Sequence, residues 1–262
     1  MAKLDYREFY RRNLPHFQPA GGTFFVTFRL AGSIPRAVIE RWNVEHAASL
    51  RRTKSRDMKA PNPQAIGVGR QLPETEPTQA GSVRYLEERR RRFAQIERYL
   101  DKAEIGPLWL KDNRVAEMVS DSLRYRDGKV YRLDAFSVMP NHVHVIFAPL
   151  PVVVHAASLR SDNAERTEEP QAGSLRYVDH SLASILHSLK SYTSNQANRL
   201  LQRSGQFWEH ESFDHCVRDD EEWGRIVAYV LNNPVKAGLI DDWHSWRWSY
   251  SRFHDVDSRS DV

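Results

Sequence analysis

Along the chain, apolar and polar positions alternate most clearly in Ser137-Val-Met-Pro-Asn-His-Val-His-Val-Ile-Phe147. Val143, Val145 and Phe147 recur at a spacing of two, with Val138 ahead of the break, which predicts extended structure interrupted at Pro140-Asn141. Tyr131 to Val138 has the same character, so the two stretches predict an antiparallel hairpin. An earlier strand is predicted over Thr23-Phe-Phe-Val-Thr-Phe-Arg-Leu30, after the turn signal Pro19-Ala-Gly-Gly22. Helical spacing takes over elsewhere: Ala37 to Glu45 after Pro35, Val83 to Lys102, and a segment through Val115, Met118, Val119 and Leu123 that ends near Asp127-Gly128. From Ser181, Leu182, Ile185, Leu186, Leu189, Tyr192, Gln196 and Leu200 follow three- and four-residue steps, and Ser204-Gly205 stops them. A last helix is predicted from about Glu221 to Leu231, with Asp219-Asp220 as its cap. Asn232-Asn-Pro-Val-Lys-Ala-Gly238 then reads as a sharp turn, followed by a short tail with Trp243, Trp246 and Trp248.

Two stretches interrupt this pattern. Residues 52 to 78 carry Pro61, Pro63, Pro73 and Pro77 and little that could pack, which predicts a loop or disordered insertion. A second insertion falls at about 154–178. The two share a repeat: His46-Ala-Ala-Ser-Leu-Arg51 returns as His155-Ala-Ala-Ser-Leu-Arg160, and Gln79-Ala-Gly-Ser-Val-Arg-Tyr85 returns as Gln171-Ala-Gly-Ser-Leu-Arg-Tyr177. The copies are unequally spaced, which does not suit a stacked repeat architecture. A short DNA element inserted twice into the gene would account for them. The organisation expected is one domain over 1–254, interrupted at about 46–82 and 154–178, with a disordered tail at 255–262.

With 262 residues and 40% hydrophobic content, the chain can bury a sizeable core. A formal charge of +4 and a pI near 9.2 make it mildly basic, compatible with a nucleic-acid partner. Cys216 is the single cysteine, which excludes a disulfide framework and a multi-cysteine zinc site. The charged N-terminus has no apolar signal-peptide core, and no apolar run reaches membrane-spanning length. A soluble cytoplasmic protein is the expectation.

Chemistry concentrates on two stretches. In a strand, His142 and His144 project from the same face, about 7 Å apart along the chain, and two imidazoles so placed can share a metal ion. Such a pair also occurs in strands with no metal. Tyr192 and Gln196 stand one turn apart on a helix whose Leu182, Leu189 and Leu200 are expected to pack on a sheet. Laid on the His142 strand, that helix would bring a phenol and an amide oxygen to the imidazoles.

Met139-Pro-Asn-His-Val-His-Val145, Ser188-Leu-Lys-Ser-Tyr-Thr193 and Asn232-Asn-Pro-Val-Lys-Ala-Gly-Leu239 resemble, in that order, the motifs of the REP-associated tyrosine transposases, which belong to the HUH single-tyrosine transposases. The likeness extends through Gly106-Pro-Leu-Trp-Leu-Lys-Asp112, Gly205-Gln-Phe-Trp208 and Phe213-Asp-His-Cys-Val-Arg-Asp219. It implies an α+β fold, an RRM-like antiparallel sheet flanked by helices, with a helical C-terminal addition. It also implies a metal-dependent endonuclease and strand transferase acting on single-stranded, hairpin-bearing DNA. His142, His144 and Gln196 would hold Mg²⁺ or Mn²⁺, and Tyr192 would attack the scissile phosphate to give a 5′-phosphotyrosine and a free 3′-OH. Asn141, Lys190, Arg199, Arg203, Arg218 and Lys236 are the candidate DNA contacts. A monomer or homodimer would serve. The competing reading is a hairpin-DNA-binding protein without cleavage activity, domesticated or inactivated by its insertions. A metal hydrolase built on the histidine pair alone lacks the third histidine or carboxylate such sites use.

Overall fold

The computed structural model describes residues 9–11, 15–17, 19, 21–57, 79–102, 106–155 and 175–253. They belong to two compact units, one of residues 1–31 and 107–262 and the other of residues 32–106. The smaller unit is helical, with α1 (Arg36–Asp57) and α2 (Gln79–Lys102). Trp42 and Tyr99 meet edge to face at 5.8 Å, and Arg92 donates to Asn43 Oδ1 at 3.0 Å, so the two helices hold each other. The insertion expected at 46–82 therefore starts inside a helix. Residues 58–78, which carry its prolines, lie outside the described residues.

The larger unit is built on a five-stranded antiparallel sheet, which makes the chain α+β as expected. Its strands are β3 (Phe24–Arg29), β4 (Tyr131–Val138), β5 (His142–Pro149), β8 (Phe213–Cys216) and β9 (Ser249–Ser251), in the order β8-β3-β5-β4-β9. The predicted hairpin is present: β4 and β5 pair antiparallel, and the Met139 N–H donates to the His142 carbonyl at 2.9 Å across the turn. Four short strands carry no readable alternation. β1 (Phe9–Arg11) pairs with β2 (Pro15–Phe17), and β6 (Pro151–His155) pairs with β7 (Leu175–Asp179). The stretch expected as a second insertion, at about 154–178, thus begins and ends in a strand pair. Its residues 156–174, and the tail at 255–262, lie outside the described residues.

Because side chains alternate along a strand, the sheet has two distinct faces. On one face Phe24, Val26, Phe28, Val143, Val145 and Phe147 join the main core with α3 (Asn113–Tyr125) and α4 (Leu182–Leu200). α4 contributes Leu182, Ile185, Leu189 and Ala197, the stripe its three- and four-residue steps predict. The other face presents Phe25, Thr27, His142 and His144, and α5 (Asp220–Lys236) covers it. α3, α4 and α5 each start on an acid or hydroxyl cap: Asp112 accepts from the Arg114 N–H, Ser181 from the Ser184 N–H and Asp219 from the Glu222 N–H.

α5 runs five residues past its predicted end, through Pro234, and stops where Gly238 takes a φ of 66° and donates to the Val235 carbonyl. Pro234 removes only the N–H that would bond the Val230 carbonyl, so the last turn survives. At the other end of α5, Arg218 clamps Glu222 through Nε (2.9 Å) and Nη2 (2.6 Å), and His215 Nε2 lies 3.2 Å from the same carboxylate. The hydrogen bonds from Arg218 hold the Glu222 carboxyl down at about 2, against an ordinary value of 4.5. A depressed carboxyl stabilises the fold above the unfolded pKa, and that stability is lost as pH falls through the folded one. Glu222→Gln is therefore expected to cost roughly 1–3 kcal/mol in urea unfolding at pH 7. The difference should shrink between about pH 4.5 and 2; a constant difference down to pH 2 would contradict it.

Candidate functional site

The histidine pair occupies the central strand, β5. Both rings are fully buried, and their Nε2 atoms lie 2.9 Å apart. Each Nδ1 faces an oxygen: Asn141 Oδ1 at 2.6 Å from His142, and Thr27 Oγ1, on the neighbouring strand, at 2.8 Å from His144. The tautomer that donates from Nδ1 to these oxygens turns both Nε2 lone pairs to one point. Ligating histidines are commonly oriented in this way through their second nitrogen. Two imidazole nitrogens at about 2.1 Å from one ion and at right angles sit about 3 Å apart. The pair fits a divalent cation. Asn141, expected among the DNA contacts, is buried and serves to orient His142.

The structure does not bring Tyr192 and Gln196 to this point. Their helix, α4, packs on the opposite face, where Thr193 Oγ1 accepts from Trp208 Nε1 at 2.8 Å and Trp208 lies against Phe28. The whole sheet separates the two predicted halves of the site. The spacing within α4 is right for one face, but its apolar stripe matches the valines of β5, not the histidines.

A different tyrosine lies beside the imidazoles. The Tyr229 ring of α5 is 5.5 Å from the His144 ring and 6.1 Å from Phe25, and Lys236 Nζ is 5.5 Å from the centre of the same ring. Lys236, one of the predicted DNA contacts, therefore stands at the site. The course of α5 over the sheet places the next turn. Trp223 Nε1 donates to Asp134 Oδ2 near the middle of β4, and Tyr229 reaches His144. Four residues further along a helix is about 6 Å, close to the two-residue step from His144 to His142. That position is Asn233.

Asn233 is fully buried, and neither its Oδ1 nor its Nδ2 has a hydrogen-bond partner among the described residues. A buried orphaned amide costs about 1–3 kcal/mol, so it marks a place where an absent partner belongs. An amide oxygen is a suitable third ligand for a hard divalent cation. Asn233→Leu, of similar volume, is expected to raise the stability of the ion-free protein by about 1 kcal/mol and to weaken Mn²⁺ binding roughly tenfold or more. Calorimetry with and without Mn²⁺ checks both; a variant that loses stability and binds Mn²⁺ normally would show a packing role only.

The other predicted DNA contacts divide. Lys190 Nζ donates to the carbonyls of Glu209 and His210 and to Ser212 Oγ, so it ties α4 to the chain before β8. Arg203 donates to Asn198 Oδ1 and the Gln206 carbonyl and lies over the Trp109 ring at 3.6 Å. Arg218 is the partner of Glu222. These three have structural work, whereas Arg199 is exposed on α4. Arg29 was not singled out in the sequence. It pairs with His142 across the β3–β5 ladder, on the histidine face, and its guanidinium is 3.3 Å from Glu209. Burial lowers its pKa, and the Glu209 carboxylate opposes that shift.

No family model matches the chain. An uncharacterized protein of Haemophilus influenzae is 28% identical over 104 residues, which cover 40% of this chain and 54% of that one. A protein of the same organism with the provisional name of REP-associated tyrosine transposase is 33% identical over 57 residues, 22% of this chain and 31% of that one. The chain thus spans about half, or less, of the length of the curated relatives it matches. Among solved structures, a REP-associated tyrosine transposase bound to a REP hairpin aligns with a TM-score of 0.44 and 15% identity, over 95% of this chain and 85% of that one. The family name reached from the motifs is the name that the second relative carries. Among the described residues, no helix is long and apolar enough to cross a membrane.

Proposed function

We propose that this chain is a metal-dependent nuclease and strand transferase for single-stranded, hairpin-bearing DNA, with Tyr229 as the nucleophile of a 5′-phosphotyrosine intermediate. The observation that carries the reading is a phenol ring packed 5.5 Å from one of two buried imidazoles whose Nε2 atoms lie 2.9 Å apart. The sequence relative that carries the family name agrees with it.

His142, His144 and the Asn233 amide would hold Mg²⁺ or Mn²⁺, of which Mn²⁺ suits imidazole better. The bound ion would polarise a nonbridging oxygen of the scissile phosphate. Asn141 and Thr27 keep the two Nε2 atoms aimed at that point. Tyr229 attacks phosphorus with its hydroxyl oxygen; the Oη–P bond forms as the P–O3′ bond breaks, and the phenolic proton passes through solvent to the leaving 3′-oxygen. Lys236 and Arg29 supply positive charge near the phenol and the phosphate, where negative charge builds in the transition state. The phosphotyrosine retains the energy of the phosphodiester, so a 3′-OH can reverse the step without ATP. Burial of the imidazoles in the sheet fixes their geometry before DNA arrives.

The test is to incubate the protein with a labelled hairpin-bearing single strand and Mn²⁺, then to denature, digest with trypsin and identify the peptide that carries nucleotide. The proposal expects Ile226–Lys236, which contains Tyr229. Label on Ser191–Arg199 would return the nucleophile to Tyr192, then acting from a second copy of the chain. Hairpin binding without any adduct would support the non-cleaving alternative.

A further inference from the structure

With Tyr229 at the histidines, the Ser188–Thr193 motif is left without a task in the chemistry, yet it presents a tyrosine to solvent. Tyr192 is 49% exposed on α4, and Tyr125, the last residue of α3, is 68% exposed. Large aromatic rings this open are few among the described residues, and these two belong to helices that pack against each other. Each has a cation against it. Lys129 Nζ is 3.3 Å from the centre of the Tyr125 ring, and Arg126 Cζ is 5.7 Å from that of Tyr192. Arg126 is also held from behind, donating to the Ser122 carbonyl (2.8 Å) and Oγ (2.6 Å), so its position is fixed before any ligand binds.

The rest of the surface is of one kind. α4 contains no Asp or Glu, and its exposed positions include Ser188, Ser191, Asn195 and Arg199. Hydroxyl, amide and guanidinium groups are the usual partners of phosphate and sugar. Asp121 is the exposed acid of α3 closest in sequence to this patch, while Asp127 is turned to the Leu133 N–H and Arg252. Open aromatic rings with cations beside them, and few carboxylates, make a stacking platform for unpaired bases.

We propose that the α3–α4 surface binds a single-stranded segment of the DNA substrate, with bases stacked on Tyr125 and Tyr192 and phosphates met by Lys129, Arg126 and Arg199. The inference rests on the DNA-processing reading above and deepens it. Because α3 and α4 cover the sheet face opposite the histidines, the substrate must pass around the domain: cut on one face, gripped on the other. This grip separates recognition from chemistry, since a base on Tyr192 is isolated from Tyr229 by the full sheet.

The test uses a Tyr229→Phe background, so that binding is read without cleavage, and compares a hairpin carrying an unpaired flank with the same hairpin trimmed blunt. Stacking on one ring is worth about tenfold in affinity or more, so Tyr125→Ala with Tyr192→Ala is expected to lower affinity for the flanked hairpin about a hundredfold. The blunt hairpin should change less than about threefold. Tyr192→Trp should preserve binding, and a flank substituted with 5-iodouracil should photocrosslink to the peptide Ser191–Arg199. Both tyrosines are exposed, so an unchanged melting temperature confirms that the variants fold. Equal affinity of the double variant for the flanked hairpin would overturn the proposal, and so would an equal loss on both DNAs, which would indicate duplex contact. If the background protein binds neither DNA, the DNA-processing reading itself fails, a result distinct from either of those.

Discussion

Tyr229→Phe is expected to abolish the covalent protein–DNA adduct and to slow strand cleavage by about a thousandfold or more, the scale on which removal of a nucleophile acts. The substitution deletes one oxygen and keeps the ring that packs on His144 and Phe25, so hairpin affinity and melting temperature should remain near those of the wild type. A gel shift and a denaturing gel on the same samples separate the two effects. Lys236→Ala should give a milder version, slowing cleavage about ten- to a hundredfold, because it removes a charge beside the phenol and leaves the nucleophile in place. If the adduct persists in Tyr229→Phe and disappears in Tyr192→Phe, the nucleophile is on α4 and the proximity of Tyr229 to His144 has another meaning.

The second large effect concerns the imidazoles. Saturating Mn²⁺, at about a hundred times its dissociation constant, should stabilise the folded chain by about 2.7 kcal/mol. For a protein of this size that raises the melting temperature by roughly 5–10 °C. His142→Ala with His144→Ala is expected to erase the shift and to stop cleavage, because it removes both nitrogens that meet at 2.9 Å. Gln196→Ala should keep the shift, since its helix lies on the other face of the sheet. A Mn²⁺ shift lost in Gln196→Ala and intact in the double histidine variant would place the ion elsewhere.

The strands that carry the histidines were legible because period-two alternation over β4 and β5 is long enough to read. His142 and His144 do share a face, and the hairpin turns at Pro140-Asn141. Periodicity within one helix gives the side that packs; it does not give the layer of the domain in which the helix packs. α4 and α5 each hold a tyrosine with a carboxamide four residues on, Tyr192 with Gln196 and Tyr229 with Asn233. Pro234 made the second pattern look like the end of a helix, since an interior proline usually costs about 3 kcal/mol. Near the last turn that cost is small, and α5 continues through it. The spacing of Tyr229 and Asn233 was the signal that could have found the site. The strands β8 and β9, with four and three residues, are too short to alternate measurably. Lys190, Arg203 and Arg218 are candidate DNA contacts by sequence because charge alone does not disclose an intramolecular partner: Lys190 meets carbonyls about twenty residues on, whereas Arg203 and Arg218 close on near neighbours, Asn198 and Glu222.

Val83-Arg-Tyr85 is helical in α2, and Leu175-Arg-Tyr177, from the matching copy, is a strand in β7. Near-identical words are thus spelled into different backbones, and the flanking chain decides which. A gene that receives such a fragment at two points need not find room for a foreign fold at either. The chain on either side supplies the conformation, a helix at one place and a strand at the other. Tolerance of this kind makes the two sites natural places to splice in unrelated peptides, such as reporters or recognition tags, with the flanks and not the insert setting the outcome.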